Sequence, residues 1–418
     1  MSPTRPRASR SAFLFFCFFG VALRGAPLQE TKPEAVGMAS GRLARIGPFV
    51  ERLQQEKKLA GAVTVVARRG QLVQFEAHGL ADIEGGRPIR TDDIFALASM
   101  TKPIATVGVL MLLEEGRLLL SDPLEKFLPA FRDRQVAVTD ANAPGGYKLV
   151  PADRSITIHD LLTHRSGFPG QPADNDRPAA RLWRDGPSSL PRDPLLADSV
   201  DRLATLPLNA QPGAEWRYGA STLVLGRVIE VVSGQTLDVF LRERIFEPLA
   251  MKDTAFNVPP EKIARLVPIY ARRNGQLVKA ASPSTSPRLL SASGGLFSTP
   301  ADYMRFCQML ANGGELDGRR LLGPRTVERM ATLDVERIPL PFLRGQGFGF
   351  GVAVQRPGGE ADVLGSPGTY GWSGAYNTYF RIDPREKLVL AIFTQLSPAN
   401  DLEVTYGFQN LVMQAIVE

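Results

Sequence analysis

"FALASMTKPIATVGVLMLLEEG" (residues 95–116) carries, after Lys102, an apolar run with no clear polar face: Ile104, Val107, Val109, Leu110, Met111, Leu112 and Leu113. A helix apolar on all sides belongs in a core. Ser99 and Lys102 stand at its mouth. Pro103 follows, which a first helical turn tolerates because the N–H groups there have no intrahelical acceptor. Residues three apart share a helix face, so Lys102 can bring its nitrogen to the Ser99 hydroxyl. The helix N-terminus adds a positive field and free N–H groups, which favour an anion formed there. Of the lysines in this sequence, only Lys102 has a serine three residues before it. A serine alcohol needs a base to become a nucleophile. A lysine whose charge is costly to bury is a candidate. Taken alone, the pair reads equally well as a helix cap beside a snorkelling side chain.

The flanking sequence alternates texture. Residues 42–58 space Leu43, Ile46, Val50 and Leu53 at helical intervals. "AGAVTVVARRGQLVQFEAHG" (60–79) sets two β-rich segments around Arg69-Gly70, a hairpin signal. From about 123 to 285 prolines are frequent, and loops alternate with helical stretches. One of these, "STLVLGRVIEVVSG" (221–234), is expected to be capped by Ser221 and closed by Gly234. β texture returns in "GFGFGVAV" (347–354), "GAYNTYFRID" (374–383) and "KLVLAIFTQL" (387–396), and residues 402–417 have the spacing of a packed terminal helix. The pattern predicts an α+β fold. An antiparallel sheet flanked by helices is built from residues of about 40–122 and 286–418, with a mostly helical insertion over about 123–285.

Composition bounds the reading. The 418 residues are 44% hydrophobic and 22% charged, enough for a large core. Arg5, Arg7 and Arg10 precede an apolar run at 12–23, and Arg24 closes it. This is the pattern of a secretory signal over residues 1–26, with an uncleaved N-terminal anchor as the alternative. The run is shorter than the roughly 20 residues that span a bilayer. Export, periplasmic or secreted, is therefore expected for residues 27–418. Those four arginines and no acidic residue lie in 1–26, so the formal charge falls from +6 to +2 without it. No basic run with interleaved aromatics points to nucleic acid. Cys17 lies in the apolar run and Cys307 is the one other cysteine, so the mature chain has no pair for an internal disulfide. The histidines are His78, His159 and His164. Their spacing does not match H-E-x-x-H, so no metal is expected, and His164 is read as fixing backbone near a site rim. No nucleotide-binding glycine fingerprint and no G-x-S-x-G elbow are present, so no cofactor is expected.

Two further stretches carry chemistry. In "PGAEWRYGAST" (212–222), Tyr218 follows a Pro-Gly turn and precedes a helix. A phenol beside a lysine cation can accept the Ser99 proton; the plain alternative is a core tyrosine. In "GTYGWSGAYNTYF" (368–380), Gly368, Gly371 and Gly374 crowd a strand start. Glycine there marks close approach of another backbone or a ligand. An edge strand along a cleft can give an N–H to an oxyanion.

With "LLTHRSGF" (161–168), "PLAMKDTAF" (248–256), "SGGLFSTPADYMRF" (293–306) and "GWSGAYNTYFRIDP" (371–384), these elements resemble the serine β-lactamase-like superfamily. It includes class C β-lactamases, DD-peptidases and the carboxylesterases of family VIII. The resemblance spans nearly all of residues 27–418. It implies a β-lactamase/transpeptidase-like fold, with Ser99 as the acylated nucleophile, Lys102 as its partner and Tyr218 as the general base. It implies an oxyanion hole from the N–H groups of Ser99 and Ala375, and a substrate-binding strand at Trp372, Ser373 and Gly374. Two departures stand out. The Tyr-x-Asn motif of β-lactamases is here Tyr218-Gly219-Ala220, and their Lys-Thr-Gly is Trp372-Ser373-Gly374. The expected activity is that of a serine hydrolase forming an acyl-enzyme at Ser99, a carboxylesterase on short-to-medium acyl esters. The alternatives are a β-lactamase or DD-peptidase, and a non-catalytic peptide- or glycan-binding protein. The expected partner is a small-molecule ester or amide, with membrane contact only if the N-terminal segment is retained.

Overall fold

The computed structural model describes residues 28–170, 177–185, 194–338, 343–358, 361–399 and 401–418. The signal or anchor expected over 1–26 lies outside the described residues. "GAVTVVAR" forms β1 (Gly61–Arg68), buried along its whole length. Its run of β-branched side chains suits a central strand packed on both faces. The chain turns back through Arg69 and Gly70, at φ 54° and 79°, into β2 (Gln71–Asp82). Two successive residues in the left-handed region match the right-handed twist of the flanking strands.

The other strands of this sheet are β3 (Arg87–Pro88), β4 (Gln346–Phe348), β5 (Ala353–Gln355), β6 (Tyr370–Ser373), β7 (Tyr379–Asp383) and β8 (Leu388–Phe393). They assemble in the order β4-β5-β6-β7-β8-β1-β2-β3, every neighbouring pair antiparallel. β1 lies beside β8 with Val65 opposite Ala391, so the two ends of the chain share one sheet.

The helices that matter are α1 (Ile46–Gln55), α2 (Thr101–Glu114), α3 (Ser221–Ser233), α4 (Pro300–Ala311) and α5 (Leu402–Met413). α1 and α5 cover one face of the sheet through Val50, Leu53, Val404, Phe408 and Val412. α4 covers the other. α2 has no exposed side: Thr101 through Leu112 are all buried. It packs on α3. Gly108 lets its neighbours close in, since a Cβ there would stand 3.1 Å from Phe240 and 3.3 Å from Ile229. An apolar helix without a polar face is thus matched by partners all round.

One local expectation needs correction. Ser221 does not cap α3: the N-cap is Ala220, with no side-chain cap. The Ser221 hydroxyl is buried and shares a 2.8 Å hydrogen bond with the Ser166 hydroxyl instead. A buried partner satisfies it as well as the helix end could. Gly234 does close the helix, at φ 77°. The region 123–285 also contains two hairpins among its helices. Gln135–Thr139 pairs with Tyr147–Pro151, and Tyr270–Arg273 pairs with Gln276–Lys279. The second extends to Leu396–Ser397 near the C-terminus. Frequent proline and short strand length hide both hairpins from periodicity.

α4 starts at Thr299, whose hydroxyl accepts the Asp302 N–H at 3.2 Å. The Asp302 carboxylate accepts the Asp253 N–H at 2.6 Å and the Thr254 hydroxyl at 3.0 Å. Burial nevertheless pushes its pKa up from 3.8 to about 6. The folded state then holds this proton more tightly than the unfolded state. The contribution is fully present below pH ~4 and is lost as pH rises to ~6, by up to about 3 kcal/mol. Asp302→Asn keeps an acceptor oxygen and should remove that slope, read as a flatter Tm profile between pH 4 and 7.

Candidate active site

Ser99 sits on the 3-10 turn Ala98–Met100 that leads into α2. Ala98, just before it, has φ 45°. A non-glycine residue in this region is sparsely populated, and such strain gathers at functional sites. Lys102 is 4% exposed. Its Nζ donates to Ser99 Oγ at 3.1 Å and to the Ser293 carbonyl at 2.7 Å, and stands 4.6 Å from the centre of the Tyr218 ring. Among the described residues no carboxylate pairs with it. A buried ammonium loses hydration. A carbonyl, a hydroxyl and an aromatic face offset part of that loss.

Tyr218 comes from the loop before α3. Gly219 lets this loop pass close to its neighbour, since a Cβ there would lie 2.4 Å from the Pro169 carbonyl. The Tyr218 hydroxyl accepts the indole N–H of Trp372 at 3.2 Å. The ring is therefore held by Lys102 at its face and by Trp372 at its oxygen. Against the same ring pack His164, at 5.0 Å between centroids, and Trp216, at 6.1 Å and nearly parallel. Phe348 completes the cluster, 5.5 Å from His164, 5.5 Å from Trp216 and 5.3 Å from Trp372.

The end of β6 reaches the Ser99 turn at Gly374. A Cβ there would stand 2.4 Å from the Leu97 carbonyl and 2.2 Å from the Thr378 hydroxyl oxygen. Only glycine permits this approach. Ala375 follows in an exposed turn, and its N–H has no acceptor among the described residues. Successive strand residues point to opposite faces. Trp372 turns into the aromatic cluster, while Ser373 is half-buried and lines a cavity on the side of Arg381.

Ser99, Lys102, Tyr218 and Trp372 are thus joined by direct contacts, and Gly374 brings Ala375 alongside. His164 differs from expectation. Its carbonyl does fix backbone, accepting the Arg217 N–H at 2.8 Å. Its ring is buried against Tyr218 rather than at a rim. Burial, then the charge of Lys102, takes its pKa down to about 3, so it is a neutral imidazole near pH 7. Sequence reasoning missed Ser293, Trp216 and Phe348. Ser293 serves Lys102 through a backbone carbonyl, which no side-chain pattern reveals. The two aromatics look like ordinary core residues until the ring contacts are known. His78 and His159 bond to Glu76 at 3.2 Å and Asp334 at 3.0 Å, and no group of three metal-ligating side chains occurs among the described residues.

A Ser-x-x-Lys pair at the head of a buried helix, set against the end of an antiparallel strand, is the mark of the β-lactamase-fold serine hydrolases. Sequence comparison gives the same answer. The chain belongs to the Beta-lactamase family, whose profile matches residues 48–411. It is 36% identical to Protein Rv1367c of Mycobacterium tuberculosis, over 83% of this chain and 88% of that protein. It is 32% identical to Esterase EstB of Burkholderia gladioli, over 85% of this chain and 91% of that one. Among solved structures, "EstCE1, a hydrolase with promiscuous acyltransferase activity" is similar with a TM-score of 0.74 at 26% identity, over 90% of this chain and 99% of that one.

Proposed function

We propose that this serine hydrolase is an exported carboxylesterase that turns over short-to-medium acyl esters through an acyl-enzyme at Ser99. The Ser99 proton passes to the Tyr218–Lys102 pair as Oγ attacks the ester carbonyl. The oxyanion rests on the N–H groups of Ser99 and Ala375. The bond to the alcohol breaks, and the pair returns the proton to the leaving oxygen. Water then attacks the acyl carbonyl by the same route, releasing the acid and restoring Ser99.

The observation that carries the ester reading is Trp372. It stands where β-lactamases and DD-peptidases hold a lysine for the substrate carboxylate, and its N–H is engaged by Tyr218. An indole offers an acyl or alcohol group an apolar wall and offers a carboxylate no cation. Ala220, in place of the Asn of Tyr-x-Asn, removes the amide that would meet a peptide-like substrate. The names of EstB and EstCE1 point the same way. The test compares kcat/KM for p-nitrophenyl butyrate, nitrocefin and a D-Ala-D-Ala peptide. The ester should be preferred by at least about 10²-fold, because the carboxylate of the other two substrates would be desolvated against an indole with no cation to pair it. Equal or faster turnover of nitrocefin or the peptide would replace this reading with the β-lactamase or DD-peptidase alternative.

A further inference from the structure

Three arginines are buried among the described residues: Arg68, Arg305 and Arg381. Arg68 pairs with Glu386 at 2.8 Å, and Arg305 pairs with Asp317 at 2.5 Å. Arg381, 4% exposed on β7, has no such partner among the described residues. Its Nη2 donates to the Gln346 side-chain oxygen at 2.9 Å, and its guanidinium lies 4.6 Å from the centre of the Tyr379 ring. Nη1 has no hydrogen-bond partner among the described residues. Asp383, two residues along the same face of β7, already accepts the N–H groups of Ser366, Arg385 and Glu386. Asp362 pairs with Arg344 at 3.6 Å.

Arg381 lines a cavity of about 20 Å³ together with Trp372, Ser373, Asn377, Thr405 and Tyr406. The Asn377 amide is taken by the Leu396 and Pro398 carbonyls, and the Thr405 hydroxyl by the Asp401 carbonyl. Among the described residues, Arg381 Nη1 and the half-buried Ser373 hydroxyl have no partner and can donate into the cavity. The volume suits one water-sized body. Water would satisfy the geometry of Nη1 but not its charge, and a buried cation is stabilised by a counter-charge.

We propose that Arg381 and Ser373 form a binding site for a halide-sized inorganic anion, chloride in practice, behind the strand that carries Trp372. The site needs none of the chemistry assigned to Ser99, although Trp372 and Ser373 border it. Chloride bound there neutralises Arg381 and braces β6.

The test measures Tm of the full-length protein in sodium chloride against sodium gluconate at equal ionic strength, since gluconate is too large for the cavity. Wild type should show a saturable, chloride-specific rise of about 2 °C or more. Arg381→Met removes the unpaired charge. It should be at least as stable as wild type in gluconate and lose the chloride response. Crystals of the wild type soaked in bromide give a readout that needs no variant: an anomalous peak within hydrogen-bond distance of Nη1. Equal Tm in the two salts, a chloride response that survives in Arg381→Met, or a cavity that takes up no bromide would each overturn the proposal.

Discussion

Ser99→Ala is expected to lower kcat/KM for p-nitrophenyl esters by about 10⁴–10⁶-fold, the loss found when the nucleophile of a serine hydrolase is removed. Residual rate would come from the N–H groups at Ser99 and Ala375, which the substitution leaves in place. The fold should be almost untouched. Among the described residues the Ser99 hydroxyl makes one hydrogen bond, from Lys102, and Lys102 keeps its shorter bond to the Ser293 carbonyl. A lost bond of this kind changes stability by about 1 kcal/mol. Intact-mass analysis after a fluorophosphonate probe supplies the second readout. Wild type should gain one adduct, and Ser99→Ala none. Ester hydrolysis at the wild-type rate in Ser99→Ala would remove Ser99 from the mechanism altogether. A wild-type protein that hydrolyses no ester and takes no adduct would favour a non-catalytic binding role.

The parts of this site that could be read in advance are those held by short-range geometry. Ser99 and Lys102 are three residues apart on one helix face, so their contact follows from helical pitch alone. Gly374 announced a close approach, and the Leu97 carbonyl is what approaches. The fold was legible for a similar reason. β1 is buried on both faces and α2 on every side, and each writes its environment into a continuous apolar run. What stayed hidden depends on distant chain segments meeting. The bond from Trp372 to Tyr218 joins residues 154 apart in sequence, and it turns a pocket wall into a partner of the proposed base. Ser293 enters through its carbonyl. Ser221, a good cap by local rules, is drawn to Ser166 by tertiary packing. Arg381 looks like any strand arginine until the described residues around it are seen to offer it no carboxylate.

Lys102→Met and Tyr218→Phe are each expected to lower kcat by about 10²–10⁴-fold, the usual range for removing an acid–base group. The double variant should be little worse than the more damaged single one. The reason is physical contact. The ammonium lies over the phenol ring and touches the Ser99 oxygen, so proton transfer from Ser99 needs both groups together. Groups that act as a unit lose most of their effect with the first deletion. The stabilities should diverge from the activities. Lys102 is buried with no carboxylate partner among the described residues, so a methionine of similar length should leave Tm equal or raise it. Tyr218→Phe should do the opposite, because the buried indole N–H of Trp372 loses its acceptor at a cost of about 1–3 kcal/mol. A stable Lys102→Met protein with its activity gone separates chemistry from folding. Thermal melts and a double-mutant cycle on kcat measure both halves. If the two losses instead multiplied in the double variant, Lys102 and Tyr218 would act in separate steps, and the shared proton relay would have to be abandoned.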